Sequence, residues 1–276
     1  MLPRHLHRSS RKSVTVVIPT LNEAENIEPL LNQIFSDGNS SLRLEVLFVD
    51  DGSTDSTCDL ISRFSESFPV RLLQRDEPTN GLAGAVIAGA RATTNACVVV
   101  MDADLSHPPN TIADLVAPIL EGSEDMVIGS RYAPGGRTPG WPWWRRCMSR
   151  LACLLAAPLT TVKDPLSGFF ATRRNAILGC EGNAAAGFKI ALELIVKGGK
   201  HLRVREIPVV FHDRLRGESK MRPRVLLIYL RRLSALLLQQ VVSEMPFSGQ
   251  GTVMRSRGHG SGTNLRTATT TPAAAP

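Results

Sequence analysis

The chain has 276 residues, of which 43% are hydrophobic, enough for a substantial core and for one α/β domain with appendages. Its formal net charge of +7 favours anionic partners, which could be nucleic acid, a lipid surface or a phosphorylated substrate. A nucleic-acid-binding stripe should interleave basic with aromatic residues. Aromatic residues make up only 5% of this chain and its tryptophans cluster at 141–144, so we expect no nucleic-acid partner.

The cysteines and the two ends of the chain bear on its location. Five cysteines form no C-x-x-C pair, and no apolar stretch with a cleavage site follows the basic residues 1–12. We therefore expect reduced thiols and an active site on the cytoplasmic side. The leader 1–12 has no periodicity and the tail 248–276 is rich in Gly, Ser, Thr and Ala, so both are predicted to be disordered.

From residue 13 the chain alternates short apolar, β-branched runs with helical segments. The predicted strands are 14–18, 44–49, 70–74, 97–101 and 125–129, and the predicted helices are 22–35, 55–64, 82–92 and 109–120. Buried strands that alternate with helices indicate an α/β fold in which a mostly parallel, twisted sheet carries helices on both faces.

The regular alternation stops after residue 131. Segment 133–144 contains three prolines and three glycines, which predicts an irregular loop that leads into a helix over 143–157. Farther along, 188–196 is predicted to be helical and 202–211 to be extended. The second half of the domain is therefore expected to be less regular than the first.

Polar residues follow the first two predicted strands, as PTLNE at 19–23 and VDDGS at 49–53. In an open α/β sheet the carboxyl ends of adjacent strands face one crevice, which is the usual place for a nucleotide. A carboxylate there can accept hydrogen bonds from ribose hydroxyls or from a base edge. An equal alternative is that Asn22, Ser53 and Asp55 cap helices and that Asp50 forms a turn.

Two aspartates, Asp102 and Asp104, follow the fourth predicted strand. Burying unpaired charge is costly, so carboxylates at this spacing are driven towards solvent or a cation. A hard divalent ion such as Mg²⁺ or Mn²⁺, held by one or two carboxylates and by substrate phosphates, suits this arrangement. It would act as a Lewis acid towards a departing diphosphate. Turns also contain paired aspartates, so this string alone does not decide between a metal site and a turn.

In chain order, the strings PT-x-N-E at 19–23, VDDGS at 49–53, DADLSHPP at 102–109 and GSRY at 129–132 resemble family-2 glycosyltransferases of the GT-A fold. Within that family the chain is similar to the dolichyl- and polyprenyl-phosphate mannosyltransferases. Further matching segments are 145–149, 164–169, 187–193 and 214–220. The resemblance therefore implies a catalytic domain over 13–220.

The resemblance also implies roles for the matching residues. The donor would be bound by Pro19, Leu21, Glu23, Val49, Asp51, Asp102, Ala103, Asp104, Arg131, Ile190, Arg214 and Lys220. Asp102 and Asp104 would hold the metal, and Asp104 and Arg131 would be catalytic. This chain has Ser106 where relatives often have Gln, and the shorter side chain favours a bridging water over direct coordination. Relatives also often have Tyr at Leu21 and a lysine before the glycine of loop 79–84, which this chain lacks.

An acceptor site is predicted on the helix over 143–157. Arg145 and Ser149 are four residues apart and share a helical face, so they can offer a cation and a hydroxyl to one anion, which Arg131 could also reach. The alternative is a solvated basic surface. A lipid phosphate, with a second pKa of about 6, needs no strong general base. This agrees with the absence of an evident Ser-His-Asp or Cys-His constellation, and His107, His201 and His212 are predicted to be structural.

The resemblance implies that a sugar moves to a polyprenyl or dolichyl phosphate with inversion at the anomeric carbon. It suggests GDP-mannose as the donor. UDP-glucose, a polysaccharide or other cell-envelope acceptor, and a protein that binds sugar nucleotides without turnover remain alternatives.

The last predicted element is an amphipathic membrane-interface helix over 221–247. A membrane-spanning helix needs ~20 apolar residues. The apolar run in this segment is interrupted by Arg231 and Arg232, and two charged side chains at the centre of a bilayer would be energetically expensive. Its apolar face would contain Leu226, Leu227, Leu230, Leu233, Leu237 and Val241, with Arg224, Arg231 and Arg232 near headgroups. The alternative is a helix that packs on the domain core. We expect a peripheral protein on the cytoplasmic face of a membrane, with a membrane-anchoring subunit as a candidate partner.

Overall fold

The computed structural model describes residues 13–180, 189–213 and 229–238. Within these ranges seven strands form one sheet: β1 (Ser13–Thr20), β2 (Arg43–Asp50), β3 (Val70–Gln74), β4 (Cys97–Val100), β5 (Met126–Ser130), β6 (Phe170–Arg173) and β7 (Val204–Pro208). The strand order is β3-β2-β1-β4-β6-β5-β7. All strands except β6 run in the same direction. The predicted α/β fold with a mostly parallel sheet is confirmed.

The helices lie between the strands, as the alternating pattern predicts. They are α1 (Ala24–Ile34), α2 (Thr57–Phe64), α3 (Gly81–Ala92), α4 (Ile112–Glu121), α5 (Trp143–Leu155), α6 (Arg174–Leu178) and α7 (Ile190–Gly198). Residues 229–238 form a further helical segment. None of the helices within the described ranges is both long and apolar enough to cross a bilayer.

The two faces of the sheet are covered by different helices because side chains alternate along each strand. Val16 and Ile18 of β1 face a core shared with α1, α2 and α4. Val17, between them, faces a second core shared with α3, α6 and α7. The strands are thus buried on both sides, which explains why they read as continuous apolar runs.

Strand β6 was not predicted from the sequence. It has only four residues and is too short to show a period. It lies between β4 and β5 and pairs antiparallel with both. Because β6 is reversed, the loop that precedes it lies at the edge where the other strands end. Residues 164–169 are thereby placed beside the ends of β4 and β5.

The helical segment 229–238 packs on helices α5 and α7. Tyr229, Leu233 and Leu236 are buried against α5 and α7, and Arg232 donates to Glu193 of α7 at 2.5 and 2.7 Å. Leu230 remains 41% exposed. The described part of this segment therefore follows the core-packing alternative along one face. The rest of the predicted interface helix, like the leader, the tail, Arg214 and Lys220, lies outside the described residues.

Candidate active site

Asp50, at the end of β2, joins the ends of the first two strands. Its carboxylate accepts hydrogen bonds from Thr20 Oγ1 at 3.2 Å, from Ser53 Oγ at 2.5 Å and from the N–H groups of Gly52 and Ser53 at 3.0 and 2.8 Å. Burial alone would raise the pKa of Asp50, but these hydrogen bonds outweigh burial and lower it. Asp50 is therefore a charged turn residue that shapes the loop, in line with the turn alternative.

The loops after β1 and β2 are cross-linked by side-chain hydrogen bonds. The Asn22 N–H donates to Ser53 Oγ, and Asn22 Oδ1 accepts from the Thr54 N–H, both at 2.8 Å. Asp55 accepts from the Ala24 N–H at 3.3 Å and from the Thr57 N–H at 3.0 Å. These polar residues therefore form hydrogen bonds to the neighbouring loop as well as to their own. The hydrogen bonds join the two loops at the sheet edge.

The predicted nucleotide-binding residues differ in how accessible their side chains are at this edge. Pro19 and Glu23 are half-buried and Leu21 is 40% exposed, so their side chains are within reach of a ligand. Val49 and Ile190 are buried in the core, at 0% and 3% exposure. Their side chains do not face the crevice, so the implied donor contact could involve only their backbone.

Asp51 forms a bidentate ion pair with Arg75, a residue that sequence reasoning missed. Arg75 Nε and Nη2 donate to the two Asp51 carboxylate oxygens at 2.6 and 2.7 Å. The same guanidinium donates to the carbonyls of Thr79 and Gly81 at 3.0 and 3.1 Å. Arg75 therefore fixes the loop before α3 against the end of β2. The sequence does place Arg75 just after a predicted strand, at the sheet edge where the other site residues lie, and this position could have identified it.

Asp102 is supported by a buried histidine. The Asp102 N–H donates to His107 Nδ1 at 3.0 Å, so the ring proton is on Nε2, which lies 3.9 Å from Asp102 Oδ2. Burial lowers the pKa of His107, partly offset by the charges of Asp102 and Asp104. The ring stacks on Phe169 with a centroid distance of 5.1 Å. His107 is thus a neutral group that positions Asp102, consistent with its predicted structural role.

Asp104 is oriented by Ser106. Asp104 is 5% exposed, and its Oδ1 accepts from the Ser106 hydroxyl at 2.6 Å and from the Ser106 N–H at 3.1 Å. Leu105 between them has a φ of 59°, a left-handed conformation that is strained for a branched side chain. Ser106 therefore acts on the predicted metal site through Asp104.

Asp102 and Asp104 fit a hard divalent cation by the chemistry of their donors. Both offer carboxylate oxygens, and the Asp102 side chain is 33% exposed at the crevice. Among the described residues no group of three or more His, Cys, Asp or Glu could hold a metal ion. A cation here would therefore need substrate phosphates or water as further ligands, which is the usual arrangement for Mg²⁺.

Arg131 is held rigidly by Asp164 at the other side of the crevice. Its Nε and Nη2 donate to the Asp164 carboxylate at 2.8 and 2.6 Å, and its N–H donates at 2.9 Å. Burial alone would lower the pKa of Arg131, but the ion pair with fully buried Asp164 raises it. The rings of Tyr132, Trp141 and Phe211 lie 5.4 to 5.6 Å from the guanidinium carbon. The guanidinium therefore remains charged and fixed.

Arg145 and Ser149 share a face of α5, as their spacing predicts: both are half-buried while 146–148 are exposed. The Arg145 guanidinium carbon lies 4.0 Å from the centroid of the Trp141 ring, and its Nη1 donates to Asp213 at 2.7 Å. Ser149 Oγ accepts from the Tyr132 hydroxyl at 2.7 Å. Because Trp141 and Tyr132 both flank Arg131, the three predicted acceptor residues lie around one pair of aromatic rings.

Lys189 is a further charged residue of the site that sequence reasoning did not assign. Burial and the charge of Arg131 lower the pKa of Lys189, while the carboxylates of Asp102 and Asp164 raise it. Lys189 therefore lies near charged residues on both sides of the crevice. The signal was its place in the matched segment 187–193, just before α7. Gly168, in the loop before β6, also belongs here, because a Cβ at this position would lie 3.4 Å from Asp102 Oδ2.

Sequence similarity places this chain in a known family. Residues 15–181 match the sequence model of the family described as Glycosyl transferase family 2. The chain is 41% identical over 228 residues to the dolichol-phosphate mannosyltransferase of Pyrococcus furiosus, a match that covers 81% of this chain and 63% of that protein. Proteins of the same name from Mycosarcoma maydis and Saccharomyces cerevisiae are 37% and 34% identical. These matches cover 83% and 80% of this chain and 80% and 86% of those proteins.

Solved structures show the same fold. The crystal structure of glucosyl-3-phosphoglycerate synthase from Mycobacterium tuberculosis with Mn²⁺, uridine diphosphate and phosphoglyceric acid superposes with a TM-score of 0.61 at 24% identity. The superposition covers 86% of this chain and 81% of that one. At this level of identity the likeness concerns the fold alone.

Proposed function

Because the chain belongs to glycosyl transferase family 2, we propose that it transfers a hexose from a nucleoside-diphosphate sugar to a dolichyl or related polyprenyl phosphate. The support from sequence is the identity of 34% to 41% with three proteins named dolichol-phosphate mannosyltransferase. The observation that carries the proposal is that Asp102 and Arg131 are connected through two packed rings. His107 accepts from the Asp102 N–H at 3.0 Å and packs edge-on against Phe211 with a centroid distance of 5.3 Å, and the Phe211 ring lies 5.5 Å from the Arg131 guanidinium carbon. One crevice therefore contains carboxylates that would hold a metal ion bound to the diphosphate, and basic side chains that would bind a phosphate.

The donor nucleotide would bind at the ends of β1 and β2. There Glu23 is half-buried and the Asp51–Arg75 pair fixes the loop before α3. Buried polar groups that are already held in place lose little freedom when a ligand binds. GDP-mannose is the proposed donor, by analogy with the names of the relatives, and UDP-glucose is the alternative.

The metal would be Mg²⁺ or Mn²⁺, held by Asp102 and Asp104. When bound, it would supply positive charge for the diphosphate leaving group. Ser106 keeps Asp104 oriented through its hydroxyl and N–H. His107 anchors the backbone of Asp102. The Asp104 carboxylate and the Asp102 backbone are thereby held before any ligand arrives.

The acceptor phosphate would bind among Arg131, Arg145, Ser149 and Trp141. Trp141 is 6% exposed, and its indole N–H has no hydrogen-bond partner among the described residues. Buried donors are normally paired. The indole nitrogen belongs to the ring that both arginines flank. An anion between these groups would accept from the indole and would be held by two guanidinium charges.

The proposed reaction is one displacement with inversion. An oxygen of the lipid phosphate forms a bond to the anomeric carbon, the bond from that carbon to the nucleoside diphosphate breaks, and the diphosphate leaves with the electron pair. The transition state has oxocarbenium character, so negative charge grows on the leaving group. A fixed cation such as Arg131 would stabilise that charge without reorganising. The phosphate needs no base, because it is already largely deprotonated.

A lipid acceptor requires the crevice to work at a membrane surface. We therefore propose a peripheral location on the cytoplasmic face, with a membrane-anchoring subunit as a candidate partner.

The direct test is a transfer assay with purified protein. Detergent-dispersed dolichyl phosphate would be incubated with radiolabelled GDP-mannose, GDP-glucose or UDP-glucose, and the label that enters organic solvent would be counted. We expect mannose from GDP-mannose to enter the organic phase with the wild-type chain and not with Asp104→Asn. If no donor labels the lipid in the presence of Mg²⁺ or Mn²⁺, the proposed function is wrong.

A further inference from the structure

A cavity of about 350 Å³ lies between α5 and the loop before it, and it adjoins the crevice described above at Arg131 and Tyr132. We call it the arginine pocket; its lining residues are Arg131, Tyr132, Gly136, Arg137, Thr138, Pro139, Arg146 and Arg150. Arg131 forms an ion pair with Asp164. The other three arginines form no ion pair with any carboxylate among the described residues. The pocket therefore carries uncompensated positive charge.

Two of these arginines contact neighbours in the pocket wall. Arg146 Nη2 donates to the Thr138 carbonyl at 3.2 Å. The Arg150 guanidinium carbon lies 5.8 Å from the centroid of the Tyr132 ring. Guanidinium groups are well suited to phosphate oxygens, which they can bind in pairs of hydrogen bonds. The chemistry of the pocket thus points to a phosphate group.

The outer face of α5 identifies the source of that phosphate. This face is apolar and exposed: Trp143 is 76% exposed, Trp144 51%, Leu151 56% and Leu154 67%. No described residue covers it. Arginines beside apolar side chains and tryptophans on one helix are typical of a helix that lies in a bilayer interface. An anionic leaflet would match both the apolar face and the charged pocket beside it.

We propose that the arginine pocket binds the phosphate of an anionic phospholipid headgroup while the outer face of α5 rests in the same leaflet. This goes beyond the proposed function, in which the acceptor phosphate is held by Arg131, Arg145 and Ser149. It also places the membrane contact on α5, within the catalytic domain. The inner face of the same helix carries Arg145 and Ser149, so this contact would hold the acceptor site at the membrane surface.

The test is vesicle flotation with the full chain, which needs no catalysis and stands even if the transfer assay fails. Binding to phosphatidylcholine vesicles is compared with binding to vesicles that also contain phosphatidylglycerol. The double variant Arg146→Gln/Arg150→Gln should lose roughly fivefold in binding to the anionic vesicles for each arginine removed. The matched control, Arg43→Gln/Arg63→Gln, removes the same charge from exposed positions on the other half of the domain and should keep the preference.

A second variant separates the apolar contribution. Leu154→Ala should weaken binding to both kinds of vesicle by a similar factor, because it removes apolar area and no charge. Circular dichroism of every variant should match that of the wild-type chain. The proposal is overturned if the two double variants lose equally, which would mean that only net charge matters. It is also overturned if the pocket variant keeps its vesicle preference but needs more short-chain polyprenyl phosphate in detergent, which would assign the pocket to the acceptor.

Discussion

Arg131 donates from Nε and Nη2 to the two carboxylate oxygens of Asp164, a residue with no exposed surface. The pair joins the end of β5 to the loop before β6. A buried carboxylate of this kind fixes the direction of the guanidinium and keeps it charged. Arg131 can therefore be positioned for an anion before the anion arrives.

Replacing Asp164 should destabilise the protein as well as inactivate it. Asp164→Asn leaves the buried Arg131 charge without its counterion, and we expect a loss of about 3 kcal/mol in the free energy of unfolding. Chemical denaturation measures this loss. The control is Asp213→Asn, because the Asp213 side chain is 47% exposed where it pairs with Arg145, and such a pair contributes at most about 1 kcal/mol. Equal losses in the two variants would contradict the role assigned to Asp164.

Activity should depend on a divalent cation, and Ser106 should affect that dependence. We expect transfer to stop with chelator and to return with Mg²⁺ or Mn²⁺. Ser106→Ala removes the hydroxyl that holds Asp104, and the apparent metal affinity should fall by ~10 to 100-fold while saturating metal restores much of the rate. Metal titrations of wild type, Ser106→Ala and the control Ser36→Ala measure this. Full activity in chelator would remove the metal from the proposal.

Arg145 should act on the acceptor and not on the donor. Arg145→Ala removes one charged hydrogen-bond donor from the proposed phosphate site, so the apparent KM for polyprenyl phosphate should rise by roughly tenfold or more. The KM for the nucleotide sugar should stay close to the wild-type value. If both values rise by the same factor, Arg145 belongs to the donor diphosphate site or to folding.

Trp141 offers a sharper probe of the same site. Trp141→Phe keeps an aromatic ring between Arg131 and Arg145 but removes the buried indole N–H that has no partner among the described residues. Loss of one hydrogen bond to a charged phosphate should raise the acceptor KM by about tenfold. Because Trp141→Phe also removes buried ring volume, the free protein should be moderately less stable than wild type, and chemical denaturation measures that loss separately from the acceptor KM. A variant with an unchanged acceptor KM would exclude this contact.

Acid should weaken the protein partly through Asp125, which precedes β5. Hydrogen bonds from Arg203 lower the pKa of Asp125 from 3.8 to about 2. Because the folded pKa is the lower one, the stability from this pair is fully present above pH 4 and is lost as the pH falls towards 2. Asp125→Asn should therefore be less stable than wild type at neutral pH, and the difference should shrink between about pH 4 and pH 2. Denaturation midpoints over this range, with Asp114→Asn as an exposed control, provide the measurement.

Much of the architecture followed from short-range patterns. The runs that became β1 to β5 and the helices between them were predicted because periodicity involves residues only a few positions apart. The same holds for Asp102 and Asp104, which follow a buried strand, and for the common face of Arg145 and Ser149. These features depend on the local geometry of a strand or a helix, which the chain carries in its own spacing.

Only the tertiary structure decided which distant residues became partners. Arg131 meets Asp164 across 33 positions and Asp51 meets Arg75 across 24, through contacts that no local pattern records. The short strand β6 pairs with β4 on one side and β5 on the other, and its reversed direction brings Asp164 to the site. Amphipathic spacing likewise reveals two faces on a helix but not which face is covered. The outward apolar face of α5 and the inward Leu233 were set by packing, because burial depends on what the rest of the fold places against each helix.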